Sequence, residues 1–279
     1  MKIDAHQHFW DLECNKYKWL TTSQKILYRN YLPDQLLHHL KSHQIRKTVL
    51  IQAADNVKET EYLLDLYKKN DFIAGVVGWL DMESADFEIK YKKMKEHRGF
   101  IGIRPMLQDL EDDQWILRPA VLKNIELLVN DDFPIDILIF PRHLQTIIEL
   151  LEYFPTLRMV INHLAKPDID RGINEIWRRD MTKISTFKNV MCKLSGLITQ
   201  TTIPFPDVDF KPFVYFVVDV FGAHSVMFGS DWPVCLLAGE YSDVYTTLVE
   251  SLPKGLSREE MNGIFGGNAI NFYKLNLEK

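Results

Sequence analysis

The stretch Lys2-Ile3-Asp4-Ala5-His6-Gln7-His8-Phe9-Trp10 decides how this chain is read. It begins as a β-rich run and ends in two histidines two residues apart. A strand sends alternate side chains to one face, so both imidazoles are expected to point the same way. An open doubly wound sheet wants a glycine-rich turn after an early strand. This strand runs into His-Gln-His-Phe-Trp instead. Taken alone, the pair is as compatible with a surface strand as with a metal or carbonyl site. The rest of the chain has to decide.

Seven more short runs follow, at 47–52, 73–80, 100–104, 135–140, 158–163, 190–194 and 226–230. Most are apolar throughout rather than alternating, as expected of strands buried on both faces of a parallel sheet. Helical patterns separate them. Pro33 suits a first helical turn before Leu36, Leu37 and Leu40. Phe87, Tyr91 and Met94 recur on one helix face, as do Val121, Ile125 and Leu128. Ile173, Ile176, Trp177, Met181 and Ile184 make a longer stripe, and all these stripes read as ordinary core. Ser257-Arg258-Glu259-Glu260 has capping-box spacing for a last helix through Phe265, ended or bent at Gly266-Gly267. Eight β/α alternations with no break in composition predict an α/β fold, a single (β/α)8 TIM barrel over residues 1–279. The segment 10–33 reads as a long loop over the barrel mouth.

Composition narrows the function. The chain carries 33 basic and 38 acidic residues, net −5, with no basic run, so neither nucleic acid nor a membrane surface is an expected partner. No apolar stretch has transmembrane length and no signal peptide is recognised. Cys14, Cys192 and Cys235 are odd in number and far apart, which predicts a reducing, cytoplasmic setting rather than a disulfide framework. A small-molecule substrate is expected. A homo-oligomer is compatible with the sequence, which specifies no oligomeric state.

Barrel chemistry sits at the C-terminal ends of the strands. Polar residues recur there: His6 and His8, Gln52, Trp79 with Asp81, Arg104, Asn162-His163, Lys193, and Ser230-Asp231-Trp232. Singly, each has a bland explanation. His163 reads as a core histidine, Lys193 as a structural ion pair with Asp4, Arg104 as a surface charge, Asp231 as a turn cap, and Trp79 and Trp232 as packing. Together, polar groups at seven of eight strand ends would be costly to bury without partners, and one shared polar cavity explains them better. His38, His39, His43, His97 and His224 lie in helical or connecting segments and read as structural.

These stretches resemble the amidohydrolase superfamily of amidohydrolase-2 type, and within it the sugar-lactonase branch of L-fuconolactonases and L-rhamnono-lactonases. The resemblance rests on Asp4-Ala5-His6-Gln7-His8-Phe9-Trp10, Tyr31-Leu32-Pro33, Gly75-Val76-Val77-Gly78-Trp79, Asn162-His163-Leu164-Ala165-Lys166-Pro167, Cys192-Lys193-Leu194-Ser195-Gly196-Leu197 and Met227-Phe228-Gly229-Ser230-Asp231-Trp232-Pro233-Val234-Cys235. It implies a barrel that hydrolyses a sugar-acid lactone. Asp231 falls at the general base, and His6, His8 and His163 at carbonyl-polarising histidines. The same four residues would hold one divalent ion, zinc, if the enzyme uses a metal at all. Arg104, Lys193, Gln52, Trp79, Trp232 and His143 are then the candidates for holding substrate. Two departures stand out. No histidine ends strand 5, although His143 follows Pro141, and this argues against a two-metal site. Pro105 stands where the pattern Gly-x-Arg-His has its histidine, so the sugar is not specified. Two other readings keep the barrel: a metal-dependent decarboxylase of the same family, and a sugar-acid binding protein without catalysis.

Overall fold

The computed structural model describes residues 1–205 and 207–277. Eight parallel strands run in the order β1 to β8: Lys2–Gln7, Ile45–Ile51, Ile73–Gly78, Phe100–Ile103, Ile135–Ile137, Met159–Ile161, Val190–Leu194 and Val226–Phe228. Backbone hydrogen bonds close β8 onto β1, from Asp231 N to the His6 carbonyl (2.8 Å) and from His8 N to the Trp232 carbonyl (2.7 Å). The (β/α)8 barrel expected from the alternation is therefore present, and its seam lies at residues singled out for chemistry. Residues 278 and 279, the end of the expected domain, lie outside the described residues.

Helices pack around the outside: α1 Pro33–Ser42, α2 Val57–Lys69, α3 Phe87–Lys95, α4 Pro119–Asn130, α5 Leu144–Tyr153, α6 Glu175–Ser185, α7 Lys211–Phe221, α8 Tyr241–Ser251 and α9 Arg258–Asn262, while α10 Asn268–Tyr273 lies against the barrel floor. Pro33 opens α1, and the stripes on α3 and α4 are buried as read from the sequence. The stripe on α6 needs correction. Ile173 precedes the helix, and Ile176 is 59% exposed. No described helix is long and apolar enough to cross a membrane.

Several strands are shorter than their apolar runs. β6 stops at Ile161, and His163, Leu164, Ala165 and Lys166 follow with φ of 54°, 53°, 58° and 51°. β8 stops at Phe228, and Asp231 has φ 57°. Left-handed backbone at a non-glycine residue is unfavourable by about 1–2 kcal/mol. The chain adopts it where a strand has to turn its next side chains into the mouth. The loop after β1 folds back on itself through a Trp10–Tyr31 bridge, and Trp19 Nε1 donates to the Ala53 carbonyl after β2. It therefore reaches over the mouth, as its position predicts.

The floor of the barrel is plugged from the C-terminus. Ile3, Ala5, Val49, Ile51, Val77, Val160 and Met227 form an interior cluster with Phe272, Tyr273 and Leu275. The capping box at Ser257 starts α9, and the chain then bends through Gly263–Gly267 into α10. At Gly266 an added Cβ would lie 2.2 Å from the Met1 carbonyl oxygen and 3.0 Å from Ile3 N. Both are backbone atoms and cannot swing away. Gly266→Ala is expected to destabilise the fold by about 1–3 kcal/mol, the usual range for overpacking. Urea unfolding reads this as a fall in midpoint, and an unchanged midpoint would mean that the plug is loosely seated.

Candidate active site

Three imidazoles converge on one carboxylate oxygen. Asp231 Oδ1 lies 3.2 Å from His8 Nε2, 3.6 Å from His6 Nε2 and 3.8 Å from His163 Nε2. The four residues come from the ends of β1, β6 and β8 and are 4% exposed or less. His6 and His163 approach ring to ring, with centroids 4.4 Å apart. This is the convergence that the strand-end reading anticipates, across more than 200 residues of chain.

Each histidine is oriented from behind. His8 Nδ1 lies 2.9 Å from the Ile51 carbonyl, which only accepts, so Nδ1 carries the proton and Nε2 is bare. His163 Nδ1 is 2.9 Å from Ser195 Oγ. The close approach behind it requires Gly196, which has φ 66° and whose Cβ would meet His163 Nδ1 at 2.6 Å. His6 Nδ1 faces the Lys193 ammonium at 3.4 Å. An ammonium donates only, so His6 carries its proton on Nε2, and that atom has no hydrogen-bond partner among the described residues.

Burial pulls all three imidazoles below their ordinary value. His163 falls to about 3, and His6 is lowered further by the positive charge of Lys193. Near neutral pH they are uncharged. Burial pushes Asp231 the other way, but the His163 and His8 rings that face its oxygen and the charge on Lys166 outweigh it, and the carboxyl stays below its usual range. Asp231 is therefore an anion in a buried site.

The remaining sequence candidates are distributed differently. Gln52 and Arg104 brace each other: Gln52 Nε2 donates to the Arg104 carbonyl (2.9 Å), and the guanidinium bonds to the Gln52 carbonyl and to Asn162 Oδ1. Gln52 Oε1 and Arg104 Nε have no partner among the described residues. Lys193 is not paired with Asp4. Its Nζ lies 2.6 Å from Asp136 Oδ2, and both side chains are fully buried. A register shift between Asp4 and Gln7 breaks the alternation of β1. Asp4 accepts from Ser230 N and Tyr241 Oη, while Ala5 joins the interior. Lys193 therefore supports His6 from below and does not face a ligand.

Trp232 is 2% exposed and packs against Phe9, Tyr31 and His39, so it is core rather than a ring platform. His143 stands apart from the cluster. Its Nδ1 is bonded to Phe140, and its Nε2 lies 3.0 Å from Asp113 Oδ1 in an ion-pair contact without hydrogen-bond geometry. Trp79 does line a cavity of about 590 Å³ beside the ends of β2, β3 and β4, with Trp19, Trp115, Ala53, Pro105 and Met106. The histidines and Asp231 are not in its wall. Gln52 and Arg104 are not in that wall either, although their chain neighbours Ala53 and Pro105 are.

Sequence reasoning overlooked Asp136, Ser195 and Glu59. A lone carboxylate inside the apolar run Ile135-Asp136-Ile137 is the signal that marked Asp136. Glu59 is buried in α2, where its carboxyl accepts from Ala53 N and Ala54 N (2.8 Å each) and so fixes the cavity wall.

The amidohydrolase family pattern matches residues 3–275. The L-fucono-1,5-lactonase of Burkholderia ambifaria is 38% identical over 278 residues, covering 98% of this chain and 96% of that one. The L-fucono-1,5-lactonase of Burkholderia multivorans is 31% identical, covering 99% and 96%. An amidohydrolase crystal structure from Burkholderia multivorans with bound HEPES superposes with a TM-score of 0.92 at 29% identity, covering 99% of this chain and all of that one. A second crystal form with bound zinc gives 0.91 at 30% identity, again over 99% and 100%.

Glu59 carries a testable pH signature. Burial raises its carboxyl from 4.5 to about 8, against the pull of the Ala54 and Ala53 amides and of Arg104. Between those values the folded chain holds a proton that the unfolded chain has lost. Its stabilising contribution is complete below pH 4.5 and is lost as pH rises through 8, with a slope of at most about 1.4 kcal/mol per pH unit. Glu59→Gln removes the titration. Urea midpoints at pH 5 and pH 8 should show the variant gaining on the wild type as pH rises. A constant difference would mean that Glu59 is ionised throughout.

Proposed function

The chain belongs to the amidohydrolase family, and from that premise we propose that it is a lactonase opening a sugar-acid 1,5-lactone of the L-fucono type. The observation that carries the reading is the convergence of His6, His8 and His163 on Asp231 in a buried pocket at the barrel mouth.

Opening a lactone needs a base for water and a donor for the oxyanion that forms at the carbonyl. Asp231 is the base. Its low pKa keeps it ionised and able to take a proton from water. His6 is the donor. Its Nε2–H is buried and makes no hydrogen bond among the described residues, with Asp231 Oδ1 at 3.6 Å, so a carbonyl oxygen arriving there meets a donor that is not already bonded. Lys193 fixes that tautomer. The ring and its hydroxyls sit over the tryptophan-lined cavity, with Trp79 as a wall and the spare capacity of Gln52 Oε1 and Arg104 Nε for hydroxyls.

A single zinc ion fits the donor set. His8 Nε2 is bare yet faces the Asp231 carboxylate at 3.2 Å, two lone pairs that require a proton or a cation between them. Donors of a tetrahedral site with zinc bonds of about 2.0–2.2 Å stand roughly 3.3–3.6 Å apart, near the spacings here. By distance alone the group is His6, His163 and Asp231, within 4.8 Å of one another. The bonds behind the rings favour His8 and His163 with Asp231, since ligating histidines donate their other N–H to carbonyl or hydroxyl oxygen, and His6 faces an ammonium instead. When bound, zinc would supply Lewis acidity and lower the pKa of a coordinated water.

Three outcomes are expected. Purified protein should release protons from L-fucono-1,5-lactone in a pH-indicator assay, and a panel of sugar-acid lactones of which none is opened would overturn the reading. Asp231→Asn should lower turnover about a hundredfold or more with the fold retained. Near-normal turnover would assign the base elsewhere. Metal analysis should find at most one tightly held divalent ion per chain. Two would contradict the site as described.

A further inference from the structure

We propose that Lys166 is a carboxylate-binding group at the mouth, the residue that holds the acid end released when the lactone ring opens. The inference rests on the lactonase reading. Hydrolysis adds water across the acyl–oxygen bond: a new C–O bond forms at the carbonyl carbon, the ring C–O bond breaks, and the ring oxygen leaves as a hydroxyl with one proton. The carboxylic acid then loses its own proton to solvent. An uncharged substrate thus becomes an anion beside Asp231, which repels it. A cation near the acyl carbon is needed to offset that repulsion as charge develops.

Lys166 is the group placed to do this. It lines a second cavity, of about 580 Å³, on the side of the mouth formed by the ends of β5, β6 and β7. The other charges in that wall are engaged. Asp168 pairs with Arg171 at 3.4 Å, and Asp170 accepts from the Thr201 and Thr202 hydroxyls. Lys166 Nζ bonds the neutral Gln108 Oε1 at 2.6 Å and lies 5.3 Å from the centre of the Phe140 ring. Among the described residues no carboxylate forms an ion pair with it. Asp231 and Asp109 attract this half-buried ammonium through space without an ion-pair contact, so it is free to make a direct contact with an anion that arrives.

The backbone ties Lys166 to the reaction centre. Its N–H closes a turn on the His163 carbonyl at 2.7 Å, at the end of the left-handed run from His163 to Lys166. One strained turn therefore sets both the histidine that faces Asp231 and the lysine that faces the cavity. The Lys166 charge acts on Asp231 and on His163. Of the other two cations nearby, Lys193 is paired with Asp136, and Arg104 is buried, with its terminal nitrogens on Gln52 and Asn162 and only Nε left for a substrate hydroxyl.

The test compares an anion with its uncharged counterpart, L-fuconate with L-fucitol, by calorimetric titration of the whole protein. The wild type should bind L-fuconate more tightly, with an affinity that falls as salt rises. Lys166→Met should weaken L-fuconate about tenfold or more, the range for a charge-assisted bond, and move L-fucitol less than twofold. Lys166→Arg should keep most of the preference, which separates lost charge from a disturbed fold. A Met variant that binds L-fuconate as the wild type does, or one that loses both ligands equally, overturns the inference. So does a wild type without preference for the anion. Lactone turnover is read separately. A wild type that opens lactones while Lys166→Met keeps its L-fuconate affinity overturns the inference alone. One that opens none yet shows the anion preference overturns the lactonase reading and supports the anion site.

Discussion

The hydrogen bonds that close β8 onto β1 are the constraint on which the rest depends. A parallel barrel has no free edge only if its last strand meets its first. Here the meeting is made by Asp231 N on the His6 carbonyl and His8 N on the Trp232 carbonyl. The residues whose side chains form the histidine–aspartate cluster supply the backbone that seals the sheet. His6, His8 and Asp231 are consequently fixed relative to one another by the fold itself, and only His163, from β6, has to be brought in across the barrel.

A second constraint lies beneath the first. Lys193, Asp136 and Tyr273 form a fully buried network, with Tyr273 Oη donating to Asp136 at 2.6 Å and Lys193 reaching up to His6. Truncating one member of a buried pair costs about 3–5 kcal/mol because a charge is left unpaired. An apolar floor would be cheaper for stability. What the ammonium adds is a fixed proton position on His6, and with it a donor aimed into the site. Asp4 plays the parallel part on the other flank. Burial raises it to about 6 against the bonds from Ser230, His6 and Tyr241, and it ties β1, the turn after β8 and α8 together.

The barrel was legible because eight apolar runs alternate with helical stripes, and parallel strands buried on both faces leave that mark. The site was legible because polar residues at strand ends are conspicuous against apolar runs. His6, His8, His163 and Asp231 meet for that reason. What misled was the assumption that a polar strand end faces a ligand. Lys193 lies one layer deeper, Trp232 turns outward into an aromatic cluster, and His143 caps its own turn. The Asp4–Lys193 pairing failed because a bulge in β1 shifts the alternation, and neither a bulge nor a left-handed turn has a residue signature when no glycine occupies it.

Backbone strain bears on the site at particular positions. The non-glycine residues with positive φ include His163 to Lys166 and Asp231, all at the mouth. Gln44, Asp132 and Lys274 carry the same conformation away from the mouth, while at Gly266 the chain passes Met1 and Ile3 and avoids a clash by having no side chain. A glycine at His163 or Asp231 would relieve the backbone but would remove the functional group. The side chain and the conformation are both needed there, so the surrounding packing has to impose the strained φ. That packing comes from the bond of Trp177 Nε1 to the Leu164 carbonyl, from Ser195 behind His163, and from the seam at Asp231. These contacts lie behind the rings and the carboxylate, and they hold the cluster of uncharged imidazoles and one carboxylate in place without a ligand.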